Sequence, residues 1–183
     1  MISVRDLQLE DIPHVLNYWF HSPPGFIEGM AVDVMKLPSE IEMRDSLTAK
    51  CKSNSLLTKS KSNALAILKD SEAIGFHTLW PFTEGVDGIF HSHIWNPQMR
   101  GKGVALVSYL LAAQEFIKRF DLQKILYKTP MQNIGAIRVK QKLGIRELGE
   151  ESVDFGIVKS GTLARVFELT REELKKKLIQ KSR

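Results

Sequence analysis

A mixed α/β (α+β) fold, with a mostly antiparallel sheet flanked by helices, is predicted by three observations. Three apolar stretches between Ala64 and Trp95 are separated by short polar turns, the pattern of an antiparallel meander. A glycine-rich turn follows at once and opens a long apolar-periodic run, Val104 to Phe120, which reads as a helix. Strand and helix signals then continue to interleave, with no internal repeat and no linker. At 183 residues the chain suits one well-cored domain and is short for two.

The elements follow in order. Ile2 to Leu7 alternates and reads as a strand, and an amphipathic helix from Glu10 places Ile12, Val15, Leu16 and Trp19 on one side. His21 to Pro38, rich in Pro, Gly and Met, reads as a long irregular connection, and such loops are often lids or binding loops. Pro38-Ser39 starts a second helix with Ile41, Leu47 and Cys51 inward, ended by a Lys/Ser segment. Ala64 to Leu68, Ala73 to Trp80 and Gly88 to Trp95 are the meander strands. After Val104 to Phe120 comes a short strand, Ile125-Leu126-Tyr127, and Asn133 then caps a helix ending at Leu143, with Gly144 as its left-handed terminator. Glu151 to Val158 and Thr162 to Glu168 read as a final hairpin across Lys159-Ser160-Gly161. Thr170 caps a basic terminal helix, so the expected division is a domain over 1–169 and a basic helical tail over 170–183.

Composition narrows the function. A single cysteine, Cys51, excludes an internal disulfide and a Cys-rich metal site. No apolar run reaches the length of a membrane span, and the first residues lack a signal-peptide pattern, so the cytoplasm is the expected location. The net charge of +5 sits in two places: Lys50, Lys52, Lys59 and Lys61, and a tail with six cations against Glu172 and Glu173. Both read as solvated surface, and no aromatic residues interleave with them as a nucleic-acid stacking platform requires. Nucleic acid is therefore the minority reading, and nothing in the sequence fixes an oligomeric state.

The stretch richest in chemistry is Gln98-Met99-Arg100-Gly101-Lys102-Gly103. Its two glycines let the backbone turn tightly and approach a ligand, and the helix opening at Val104 offers unpaired N–H groups and a partial positive charge. Together they make a seat for a pyrophosphate, with Arg100 and Lys102 as nearby cations. The bland reading is a turn with packing glycines. A second motif lies about thirty residues on: Asn133-x-x-Ala136-x-Arg138-Val139-x-Gln141-Lys142-Leu143-Gly144-Ile145.

The two motifs, in this order around one helix and one strand, resemble the GNAT superfamily of acetyl-CoA-dependent N-acetyltransferases. The second is similar to that of the RimJ/RimL ribosomal-protein acetyltransferase branch, and the element order matches from about Ser3 to Glu168. The resemblance implies the GNAT acyl-CoA N-acyltransferase fold, splayed between its fourth and fifth strands, with acetyl-CoA in the gap as cosubstrate and no metal. The pantetheine arm would pair near His93, Ile94 and Trp95, and the diphosphate would sit on the amides from Arg100 to Val104. Asn133 would hold the pantetheine from the helix start, with Lys140 or Lys142 neutralising a phosphate. The reaction implied is direct attack of an amine on the thioester, after loss of a proton to a base. Backbone N–H groups at the strand bulge would stabilise the developing oxyanion.

Two family features differ. Many relatives carry a Tyr seven residues after the Asn, where this chain has Lys140, and the ribosomal branch often has Ser where it has Ala136. Lys140 reads first as an exposed helix lysine, with proton donation to the thiolate as the alternative. His93 is the leading base candidate and His91 the weaker one, both on one face of a strand. Glu84 is a further candidate in a turn, and a metal site from His77, His91 and His93 lacks an acid to complete it. Trp19, Phe26 and Met30 read as core or lid residues, or as an acceptor pocket. Glu28, Asp33, Glu84 and Asp87 read as surface, or as acids that steer a cationic amine. The predicted function is acetyl transfer to a primary amine, either a protein N-terminus or a small molecule; the alternative is a catalytically weak acyl-CoA-binding module.

Overall fold

The computed structural model describes residues 1–53, 61–154 and 156–181, so most of the predicted Lys/Ser segment, Lys59 included, lies outside the described residues. Strands β2 (Ala64–Lys69), β3 (Glu72–Thr83) and β4 (Asp87–Ile94) pair successively antiparallel, as their short turns predict, and β1 (Ile2–Asp6) adds antiparallel to the outer edge of β2. Helix α3 (Val104–Phe120) then carries the chain back along the sheet, so β5 (Lys124–Pro130) runs parallel to β4. Strands β6 (Arg146–Val153) and β7 (Thr162–Thr170) pair antiparallel with each other, and β7 pairs with β5. The sheet order is β1-β2-β3-β4-β5-β7-β6.

Helices cover both faces. On one side, α3, α4 (Ile134–Lys142) and α5 (Arg171–Lys181) pack on the main core. Tyr109, Ala113, Phe116, Ile117 and Phe120 recur at helical spacing and meet Leu79, Phe90, Ile125 and Phe167 of the sheet. On the other side, α1 (Ile12–Phe20) and α2 (Glu40–Ser53) bury Val15 and Tyr18 with Ala66 and Phe76. The terminal helix is part of the main core: Leu174 is buried there, and Thr170 and Glu173 form a reciprocal cap at 2.9 and 3.2 Å.

Three expectations are corrected. The last hairpin starts earlier than predicted, with β6 over Arg146–Val153 and a connection over 154–161. β6 is an edge strand with nearly every side chain exposed, so no apolar alternation marks it, and Gly149 (φ +132°) bulges its register. Ile41 is 72% exposed, because six residues place it about 120° around α2 from Leu47; Leu47 and Cys51 do pack inward. The connection from His21 to Pro38 is irregular but contains two single 3₁₀ turns, Glu28–Met30 and Val34–Lys36.

Candidate functional site

Strands β4 and β5 are bonded over only three pairs, Asp87–Lys124 to Ile89–Leu126. Beyond them β4 stays with β3 as far as Ile94, while β5 stays with β7 as far as Pro130. The sheet therefore splits like a wedge. A cavity of about 310 Å³ occupies the split, walled by Phe90 to His93 of β4, Lys128 to Pro130 of β5, and Tyr109, Asn133, Ala136 and Lys140 from the helices. Its far side is closed by Trp19, Met30, Val32, Trp80 and the loop 156–158.

The turn before α3 has the conformation its glycines require. Gly101 and Gly103 lie at φ +74° and +77°, a left-handed region in which L side chains are strained, and a Cβ on either would meet open space. Gly103 is the N-cap of α3. The amides of Gly101, Lys102 and Gly103 donate to no backbone acceptor among the described residues, and that of Val104 begins the helix without an intrahelical partner. These amides, without backbone acceptors among the described residues and at a positive helix end, fit a diphosphate. Two parts of the predicted seat are otherwise engaged. The Arg100 amide donates to the Pro97 carbonyl at 3.2 Å. The Arg100 guanidinium caps the Ile94 carbonyl at 3.0 Å and lies 4.2 Å over the Phe26 ring, so it braces the turn against the α1 side.

Beneath the turn, Ile94, Met99 and buried Val104 pack against Ile67 and Ile74, which fixes the height of the seat above the sheet. Gln98 is exposed and its amide donates to the Asn96 side chain. The Trp95 ring faces away: its Nε1 donates to the Ala73 carbonyl and its ring stacks on His14. Asn133 is both cap and wall, its Oδ1 accepting from the Ala136 amide at 3.2 Å while the residue lines the cavity. Lys102 and Lys142 are exposed.

His91 and His93 both line the cavity, on the face of β4 opposite Phe90. His77 lies on the other face, between Phe90 and Tyr109, so the three imidazoles do not converge. His93 is wedged among Tyr18, Trp19 and Phe76, with ring centroids 4.7–5.3 Å away, and its Nδ1 is 3.1 Å from the Tyr18 hydroxyl. Burial pushes its pKa down to about 3, so it is neutral throughout the physiological range. His91 is lowered too, by burial first and by the Lys140 charge, with its bond to Trp80 pulling the other way. Its Nε2 is 2.7 Å from the Trp80 carbonyl. A carbonyl only accepts, so Nε2 carries the hydrogen and Nδ1 the lone pair.

Lys140 is the main departure from expectation. It is not on the exposed face of its helix but 4% exposed, in the floor of the cavity. Its Nζ donates to the Tyr109 hydroxyl at 3.3 Å and lies 5.2 and 5.6 Å from the Tyr109 and Tyr127 rings. No carboxylate pairs with it among the described residues. The helix start at Asn133 and Ile137 in the core together turn position 140 inward. Sequence reasoning also missed Tyr109, whose signal was a lone phenol in an otherwise apolar helix face.

A family model described as "Acetyltransferase (GNAT) domain" matches residues 2–146. The chain belongs to the GNAT acetyltransferase family. It is an acetyl-CoA-dependent acetyltransferase, and its sheet has that family's mixed seven-stranded form. Solved GNAT structures superpose closely at low identity. RimJ of Mycobacterium smegmatis in complex with CoA-disulfide gives a TM-score of 0.72 at 13% identity, covering 100% of this chain and 90% of that one. Spermidine N-acetyltransferase of Vibrio cholerae, in complex with CoA and spermine, gives 0.72 at 16%, covering 95% and 98%. Aminoglycoside acetyltransferase AAC(6')-Ib, in complex with coenzyme A and kanamycin, gives 0.71 at 16%, covering 96% and 98%. No curated protein matches the sequence.

Proposed function

We propose that the protein transfers acetyl from acetyl-CoA to a primary amine by direct attack in the β4–β5 cleft, within the RimJ/RimL-like branch. The observation that carries this reading is the wedge itself: an anion seat of open amides at one end and a buried, cation-floored cavity at the other. The Asn133-to-Ile145 motif supports the branch.

Acetyl-CoA supplies an acetyl group already activated as a thioester. The amides from Gly101 to Val104 hold its diphosphate, and the unpaired outer edge of β4 beyond Ile89 with Asn133 holds the pantetheine. His91 Nδ1 accepts the proton that the attacking amine must lose, with Trp80 fixing the tautomer. His93, neutral and locked by its rings, positions the amine rather than ionising. Lys140 Nζ, steadied by Tyr109, returns a proton to the departing sulfur and offsets its negative charge.

The test is a thiol-release assay with acetyl-CoA and a panel of primary amines. Amine-dependent release of CoA is expected. Thermal stabilisation by CoA with no turnover of any amine would instead make the protein an acyl-CoA-binding module.

A further inference from the structure

The acceptor end of the cleft has an unusual charge pattern. Among the residues that line the cavity there is no Asp or Glu, whereas Lys128 and Lys140 are both present. The stretches outside the described residues hold no acid either. The acids flagged in the sequence for steering a cation are engaged elsewhere or absent from the wall. Asp33 caps a 3₁₀ turn, Glu84 pairs with Lys61 at 2.5 Å, and neither Glu28 nor Asp87 lines the cavity. Glu151 is paired with Lys128.

The wall is apolar and aromatic: Trp19, Met30, Val32, Trp80, Ile157 and Val158. Two of its segments are tied to each other. The segment after α1 and the β6–β7 loop are joined by two backbone hydrogen bonds, Asp33 N–H to the Ile157 carbonyl at 2.7 Å and Lys159 N–H to the Ala31 carbonyl at 2.9 Å, which together make an antiparallel bridge between Val32 and Val158. The Lys36 Nζ adds a bond to the Val158 carbonyl at 3.0 Å.

Resting on the acetyl-transfer reading above, we infer that the acceptor is a small monoamine on an apolar or aromatic body, such as an arylalkylamine, and not a polyamine or aminosugar. A second or third ammonium would lose its water beside the buried Lys140 amine, with no carboxylate in the wall to meet it. An aromatic body instead gains contact with Trp19 and Trp80.

The experiment compares kcat/KM for phenethylamine, tryptamine, spermidine, kanamycin and a short peptide with a free N-terminus, alongside calorimetry with CoA. Phenethylamine or tryptamine is expected to exceed spermidine and kanamycin by at least about tenfold. In Val158→Glu, at a half-buried wall position, that ratio is expected to fall by about tenfold while the CoA affinity stays unchanged. Equal or better turnover of spermidine, kanamycin or the peptide overturns the inference and leaves acetyl transfer standing. Failure to turn over or bind either arylalkylamine in a protein that does bind CoA also overturns it. Absence of CoA binding removes the underlying reading as well.

Discussion

Lys140 is 4% exposed, and among the described residues its amine meets the Tyr109 hydroxyl and two aromatic faces but no carboxylate. A cation in such a place costs folding energy unless something else uses it, and the departing sulfur is the use proposed here. Lys140→Met keeps the volume and removes the charge. It should lower kcat by about tenfold or more, leave the CoA dissociation constant within about twofold, and leave the melting temperature unchanged or higher. A full kcat with intact CoA binding would show that the amine performs no chemistry. His91→Gln retains a donor for the Trp80 carbonyl and loses the basic nitrogen, so kcat should fall about a hundredfold, with the acetyl-CoA KM unchanged. His93→Gln should cost less than about tenfold, because the native ring never ionises near neutrality. Equal losses in the two variants would return the base role to His93. Little of this ranking could be read from sequence: spacing put both histidines on one face, but only packing shows which is locked among rings. The exposed reading of Lys140 failed because its helix is polar overall, so no apolar periodicity marked position 140 as inward.

Elements were more legible than contacts. The meander, α3 and the capped α4 announce themselves through alternation, 3.6-residue periodicity and the Asn133 and Gly144 signals. Edge strand β6 does not, since an exposed strand lacks the apolar alternation that reveals a half-buried one. The splay between β4 and β5 follows from a parallel pairing that only α3 enforces and that stops after Ile89. Function at this scale depends on the turn into α3. Gly103→Ala must place a Cβ at φ +77°, a strain of about 1–2 kcal/mol, and sets that methyl in the space the diphosphate would occupy. CoA affinity should fall by at least about tenfold in a titration, with only a modest drop in melting temperature. Unchanged affinity would move the phosphate site elsewhere. At the other end, Thr170→Ala removes the cap of α5 and should cost about 1 kcal/mol in chemical denaturation without altering turnover.

Across the whole molecule, the sheet encloses His77 and half-buries His91 and His93, and burial lowers the pKa of all three. His77 is fully enclosed, with no partner for either ring nitrogen among the described residues, and burial holds its pKa at about 3. In the unfolded chain it titrates near 6.5. Between those values the unfolded state binds the extra proton, so stability is complete above about pH 6.5 and falls as pH drops. The slope is about 1.4 kcal/mol per pH unit for this one side chain, and His93 adds in the same direction. Melting curves from pH 7.5 to 4.5 should show this decline, and His77→Phe should flatten it by one proton's worth while leaving the fold intact. An unchanged slope would place the acid sensitivity elsewhere. The sequence could not foretell this, because a histidine within a strand reads the same whether it is enclosed or wet.

The most direct measurement of the central claim is calorimetric titration of the protein with CoA and acetyl-CoA, paired with Gly103→Ala. One-to-one binding of both ligands to the native chain, weakened by at least about tenfold in the variant, is the expected result. No heat and no thermal stabilisation with either ligand, or equal affinity in the variant, would contradict a diphosphate seat at the start of α3.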